Sequence, residues 1–266
     1  MNLRMETPAW ERLDGVKLFK NQIVLITGAA SGIGWACAQM FARQSADLVL
    51  VDLNENALQD IAEDIESTGN RVLSVTADLT RKQDIDTLFI KIGKVFGNLD
   101  IVINNAGGGL PTDFFRITLE EWNSILNLNL TSIFAISQRA ANIFRKKSKG
   151  CIVNISSVAG RSVSVTAGCH YTASKTGLLG LTRHMARTLA PYKIRVNAVC
   201  PGVINSPRIL KRLEQTGEMD NVIRSIPLGR LGDVSEVAAC CLFLASDLAG
   251  FVTGVSLDVN GGALMI

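Results

Sequence analysis

A tyrosine and a lysine four positions apart, Tyr171 and Lys175 in Tyr-Thr-Ala-Ser-Lys, carry the clearest chemical signal in the chain. On a helix such residues are neighbours on one face. A free phenol titrates near ~10, too high to act as a base at neutral pH. An ammonium ~4 Å away, at an effective dielectric of ~20, favours the phenolate by ~4 kcal/mol, about three pKa units before screening. The spacing therefore predicts that Lys175 lowers the Tyr171 pKa and that the phenol works as a proton shuttle. Taken alone, the same spacing also suits a pair on an ordinary surface helix, so its meaning depends on what surrounds it.

A second group of residues points to an anionic ligand. Thr27-Gly28-Ala29-Ala30-Ser31-Gly32-Ile33-Gly34 follows an apolar run directly and opens a helical pattern. Glycines there let the backbone approach a pyrophosphate, and the helix start offers free N–H groups and a positive dipole end. Asp52 ends the next apolar run, 18 residues beyond Gly34. A carboxylate at that place accepts hydrogen bonds from adenosine ribose hydroxyls and repels a 2′-phosphate. No Arg or Lys lies in the glycine loop or immediately after Asp52 to offset the repulsion. The residues thus predict NAD(H) rather than NADP(H), the rival reading being that Asp52 only caps the following turn.

Strands and helices must hold these groups in place. Short apolar, β-branched runs at 23–26, 48–51, 72–76, 101–103, 152–155, 195–199 and 255–257 read as buried strands. Helical patterns fall between them near 32–44, 55–67, 81–96, 118–146, 170–190 and 233–245. That alternation predicts one α/β domain, a doubly wound parallel sheet with helices on both faces. The domain is placed at 21–266, after an N-terminal extension at 1–20 packed by Trp10 and Phe19. A charged insertion at 205–228, within a segment of about 203–228, reads as a lid over a site.

Composition narrows the function classes. With 266 residues, 47% hydrophobic and 19% charged, the chain suits a soluble globule with one large core. A net charge of +3 gives no reason to expect nucleic acid, and Arg145, Lys146, Lys147 and Lys149 suit a helix end. Six cysteines (Cys37, Cys151, Cys169, Cys200, Cys240, Cys241) without CxxC spacing read as buried reduced thiols of a cytoplasmic protein. Two histidines make a His-based metal site improbable, and no apolar run approaches a membrane span.

The glycine spacing, three residues and then one, differs from GxGxxG. Here the sequence resembles the short-chain dehydrogenase/reductase family, in its branch of roughly 250-residue enzymes. The resemblance runs from about Gln22 to Gly262 and rests on motifs in order: TGAASGIG at 27–34, Asp78 in TADLT, NNAG at 104–107, NLNL at 127–130, NISS at 154–157, YTASK at 171–175 and CPG at 200–202. It implies a Rossmann-like fold and a catalytic set of Ser157, Tyr171, Lys175 and Asn129. Ser156 and Asn127 are the rivals that family register sets aside. It further implies cofactor contacts at Gly28, Ser31, Gly32, Ile33, Gly34, Asp52, Asp78, Leu79, Asn105, Ala106, Gly107, Tyr171, Lys175, Pro201, Gly202, Ile204 and Ser206. In this reading Asp78 meets the adenine, Asn105 lies beside the ribose, and Asn104 mainly pins strands together. The family also implies a homotetramer built from the helices of 118–146 and 170–190 and the C-terminal strand.

Departures from the pattern are few. Ser45 stands where a glycine is usual, which predicts a costly left-handed turn, and Trp35 is expected to pack against the sheet. The pocket is expected along 108–115, 158–170 and 203–226, with Ile209, Leu210 and Leu213 forming the apolar face of the lid and Arg208, Lys211 and Arg212 in solvent. Arg161 and His170 are expected at the surface, with binding of an acidic group as the lesser alternative. The first functional expectation is an NAD-dependent dehydrogenase of secondary alcohols. The second is a 3-oxoacyl-carrier-protein reductase, although Ser148 and Tyr192 stand where such reductases place basic residues, next to Lys147 and Lys193. A non-catalytic NAD-binding sensor comes last, because Ser157, Tyr171 and Lys175 are all kept.

Overall fold

A computed structural model describes residues 17–164 and 166–266. Seven strands pair in parallel: β1 (Ile23–Thr27), β2 (Asp47–Asp52), β3 (Val72–Thr76), β4 (Ile101–Asn104), β5 (Gly150–Ile155), β6 (Ile194–Pro201) and β9 (Ser256–Val259). Their order across the sheet is β3-β2-β1-β4-β5-β6-β9. A separate two-stranded ribbon joins β7 (Ile204–Asn205) to β8 (Gly232–Asp233).

Strand periodicity decides which helices cover which face. In β1, Val24 and Ile26 join the cluster containing Phe41, Ile61 and Val237, from α1 (Gly32–Arg43), α2 (Glu55–Glu66) and α9 (Val234–Ala245). Ile23 and Leu25 point the other way, to Leu88, Phe144 and Met185 of α3 (Lys82–Val95), α5 (Ser132–Lys147) and α6 (Cys169–Leu189). Both faces are thus buried, as near-continuous apolar strands require. Trp35 packs against the first of these clusters, and Phe19 is fully buried with its ring 4.7 Å from that of Phe41. Trp10, the other residue expected to pack the extension, lies outside the described residues.

The sequence pattern misses two features. The stretch read as one helix at 118–146 is α4 (Leu119–Leu126) and α5, separated by a π-turn at Asn127–Thr131 in which the Ser132 amide bonds the Asn127 carbonyl five residues back. The charged insertion forms two helices, α7 (Pro207–Thr216) and α8 (Met219–Ser225). Cys37, Cys151, Cys200 and Cys241 are buried and Cys240 is half-buried, but Cys169 is exposed at the start of α6. Among the described residues no helix is long and apolar enough to cross a membrane.

Ser45 adopts φ 65° where α1 turns into β2. A left-handed non-glycine residue costs roughly 1–2 kcal/mol. Ser45→Gly is therefore expected to stabilise the fold by about 1 kcal/mol, read as a higher urea midpoint at unchanged slope. An unchanged midpoint would show that the serine pays no conformational penalty.

Candidate active site

The chain leaves β1 and β4, neighbours in the sheet, toward opposite faces, which opens a crevice at their carboxyl ends. The glycine loop fills one side. Gly28 has φ +66°, and a Cβ added to Gly34 would lie 1.9 Å from the Gly28 carbonyl oxygen and 2.6 Å from Asn105 Nδ2. Only bare backbone fits, and α1 starts against it. Ser31, the residue before α1, makes no side-chain cap, and the first turn holds no carboxylate. The amides of Gly32 and Ile33 therefore face the crevice side of the helix start with no internal anion, a cradle suited to phosphate oxygens.

Other residues brace this cradle. Thr27 Oγ1 accepts from the Asn105 and Ala106 amides, and Asn105 Nδ2 donates to the Thr27 and Gly28 carbonyls, each at 3.0 Å. The Asn105 side chain thus holds the loop. Asn104 is the strand pin expected from sequence: Nδ2 donates to Asn154 at 2.8 Å and Ser137 at 3.1 Å, all fully buried or nearly so. Asp52 Oδ2 accepts from Ala30 in the loop, while Oδ1 takes the Leu53 and Asn54 amides, so it does cap the turn while reaching the cradle. Asp78 lies past β3 with its carboxyl held below the ordinary range by hydrogen bonds from Thr80, and Leu79 is buried in the core. On the far side, Pro201 ends β6, Gly202 packs against Asn260, and Ile204 is buried. Ser206 faces Gly32 across the loop, with its Cβ 3.8 Å from an ideal Cβ there.

The four proposed catalytic residues converge beside Gly107, Gly108 and Gly109. A Cβ at Gly107 would meet Asn129 Oδ1 at 2.6 Å and Lys175 Nζ at 3.3 Å, and one at Gly109 would meet the Tyr171 ring at 2.8 Å. Asn129, fully buried, accepts from the Gly108 amide and donates to the Gly108 and Ile125 carbonyls. Taking the Ile125 carbonyl from the helix ladder is what accommodates the π-turn. Asn127, its rival, instead donates to Thr80. Ser157 stands close enough to the Tyr171 hydroxyl to pull its pKa down, whereas Ser156 is spent on the Lys175 carbonyl.

The electrostatics correct the sequence expectation. Lys175 Nζ donates to the Ile155 carbonyl at 2.8 Å and lies 5.8 Å from the Tyr171 ring centroid. Burial pushes the Lys175 ammonium down to about 8, with Arg208 adding to the shift. The Tyr171 pKa is raised, not lowered: burial dominates, and the opposing pulls come from Ser157 and Arg208. Lys175, held by the Ile155 carbonyl, is not among the groups that move the Tyr171 pKa, although the two are neighbours on the helix.

Three basic side chains near the pocket also depart from expectation. His170 is fully buried: Nδ1 accepts from the Tyr171 amide and Nε2 lies 2.8 Å from Glu121. A hydrogen bond from Thr112, and then one from His170, holds Glu121 below the usual carboxylate range. Arg161 is paired with Asp258 at 3.3 Å and bonds the Ser256 carbonyl. Arg212 is tied to the Thr166 carbonyl, while Leu213 is buried as the lid's apolar face requires. Sequence reasoning missed Glu121 as the partner of His170; an acidic residue in the first turn of a helix reads as a dipole contact.

This chain is similar over nearly its whole length to known proteins. The 3-oxoacyl-(acyl-carrier-protein) reductase FabG of Thermotoga maritima is 35% identical over 246 residues, 92% of this chain and 99% of that one. A solved 3-oxoacyl-(acyl-carrier protein) reductase with bound NAD from Brucella melitensis superposes with a TM-score of 0.88 at 36% identity, covering 100% of this chain and 99% of that chain. A short-chain type dehydrogenase/reductase from Mycobacterium marinum gives 0.88 at 30% identity, covering 93% and 97%. A family model described as enoyl-(acyl carrier protein) reductase matches residues 28–263. On these matches the chain belongs to the short-chain dehydrogenase/reductase family of oxidoreductases.

Proposed function

We propose that the chain is an NAD(H)-dependent enzyme that interconverts a 3-hydroxyacyl group and its 3-oxoacyl counterpart. The observation that carries the chemistry is the placement of Ser157 beside the Tyr171 phenol, whose pKa it pulls down, next to the buried Lys175. The acyl class is supported by the relatives' names, and it displaces the general secondary-alcohol reading from first place.

The cradle of Gly28, Ser31, Gly32, Ile33 and Gly34 fits a dinucleotide pyrophosphate, with Asp52, Asp78 and Leu79 toward the adenosine end. Asn105, Ala106 and Gly107 line the middle, and Pro201, Gly202, Ile204 and Ser206 the nicotinamide end. A nicotinamide there supplies the two-electron partner, exchanging a hydrogen and its electron pair with the carbinol carbon. Tyr171 takes or returns the hydroxyl proton at Oη, and Ser157 holds the reacting oxygen. Lys175 keeps a cation beneath the phenol, and Asn129 fixes the loop that shapes the pocket. The same reading expects a cytoplasmic homotetramer. The exposed Phe134, Phe243, Leu248 and Phe251 give it apolar surface to bury.

Asp52 is the observation that favours NAD(H). Acetoacetyl-CoA reduction, measured with NADH and with NADPH, tests both halves of the proposal. NADH is expected to be favoured at least ~10-fold in kcat/KM, and Asp52→Ala to narrow that ratio by ~10-fold or more, the scale of a hydrogen bond to a charged group. Equal efficiency with the two cofactors would overturn the NAD assignment. Turnover of simple secondary alcohols with none of the thioester would restore the broader reading.

A further inference from the structure

Among the described residues Arg208, exposed at the start of α7, has no hydrogen-bond or ion-pair partner. It lies in the first turn of α7, and a Cβ at Gly108 would sit 3.0 Å from its Nη1. The residue before Gly108 touches Asn129 and Lys175, and the residue after it touches the Tyr171 ring. Consecutive Cα atoms are about 3.8 Å apart, so the guanidinium and the reaction centre adjoin the same short loop. Its charge reaches both Tyr171 and Lys175. Among the described residues no carboxylate lies within 4.0 Å of Arg208 or of Lys175.

The other basic side chains around the pocket are already satisfied. Arg161 has Asp258, His170 has Glu121, and Arg212 is bound to Thr166. Lys147, next to the uncharged Ser148, is paired with Asp100 and bonds the Leu99 carbonyl. Two positive groups, Lys175 and the planar N–H fork of Arg208, thus have no anionic partner among the described residues. A guanidinium is suited to a carboxylate, which it binds through two parallel hydrogen bonds.

We propose that Arg208 is a substrate-anion site, so that the acyl group processed here is a free acid, with its carboxylate on Arg208 and its 3-oxygen on Ser157 and Tyr171. This rests on the hydroxyacyl reading above. A short β-hydroxy acid has only two carbons between the two oxygen functions, which matches a cation placed across a single glycine from the phenol. The pyrophosphate of a dinucleotide is the competing anion, but its cradle is at Gly28 to Gly34, and Arg208 leans instead on Gly108.

Two measurements test the site. In the first, 3-hydroxybutyrate and its methyl ester are compared as substrates with NAD+. The wild-type chain is expected to favour the acid by ~10-fold or more in kcat/KM. Arg208→Leu should bring the acid-to-ester ratio to about one, with Arg208→Lys in between. In the second, butyrate and butyramide are titrated into the NADH-loaded protein by NADH fluorescence. Butyrate should bind ~10-fold tighter, and Arg208→Leu should erase the difference while leaving the NADH dissociation constant within about twofold. If NADH affinity falls and the acid preference stays, Arg208 serves a cofactor phosphate and the proposal is wrong. It is equally wrong if thioester turnover is found while butyrate and butyramide bind alike. Butyrate selectivity that depends on Arg208, without any hydroxyacyl turnover, would keep the anion site and remove the hydroxyacyl reading.

Discussion

Tyr171→Phe is expected to lower kcat by about 10³- to 10⁴-fold while NADH binds as before, because the change removes one proton-bearing oxygen and nothing that shapes the cradle. Stopped assays of turnover beside fluorescence titration of NADH separate the two effects. Full activity in the phenylalanine variant would end the acid/base assignment. The same variant gives a direct reading of the phenol's pKa, since the chain has only two tyrosines. Burial disfavours the phenolate, so the Tyr171 share of the ultraviolet titration should come above the ordinary phenol value of ~10 in the cofactor-free protein. Ser157→Ala removes a hydrogen bond that opposes the shift and should move it further up. The pH needed for alcohol oxidation, which uses the phenolate, should rise with it.

Gly34→Ala should be the most damaging added methyl group among the described glycines. The new carbon would sit 1.9 Å from the Gly28 carbonyl oxygen, backbone that cannot swing aside, and 2.6 Å from the Asn105 amide that holds this same carbonyl. Overpacking of this kind costs ~3 kcal/mol or more. For a chain of this size that is a fall of ~10 °C in Tm. The loop would have to open, and NADH affinity should drop by ~100-fold. Gly93→Ala is the matched control: it lies in α3 with nothing within 4 Å and should hold or slightly raise Tm. Wild-type NADH affinity in Gly34→Ala would refute the cradle.

The parts of the site set by local sequence were legible in advance. The loop from Gly28 to Gly34 must lie between a strand and a helix, and alternation of apolar runs placed the sheet and its helices. Asn104 as a strand pin and Ser45 in a left-handed turn followed from the family pattern. What the sequence did not disclose depends on tertiary contacts. The acidity of Tyr171 turns on how deeply its ring is enclosed and on Lys175 being drawn to Ile155, neither of which is a property of spacing. Arg161 and His170 looked like surface residues because their partners, Asp258 and Glu121, are distant in sequence. Arg208 is exposed as expected, but its approach to Gly108, a hundred residues earlier, was not visible in the sequence.

The widened turn at Asn127–Thr131 works as a phase shift between two helices. Each α-helical residue advances the side-chain direction by about 100°, so one additional residue in a turn rotates everything that follows by that amount. Before it, Glu121 is directed at His170; after it, Ile136, Ala140 and Phe144 point into the sheet while Phe134 faces outward. Removing one residue from this segment would not shorten a loop. It would spin α5 about its axis, pulling Phe144 out of the interior and carrying the outer phenylalanine away from whatever it abuts.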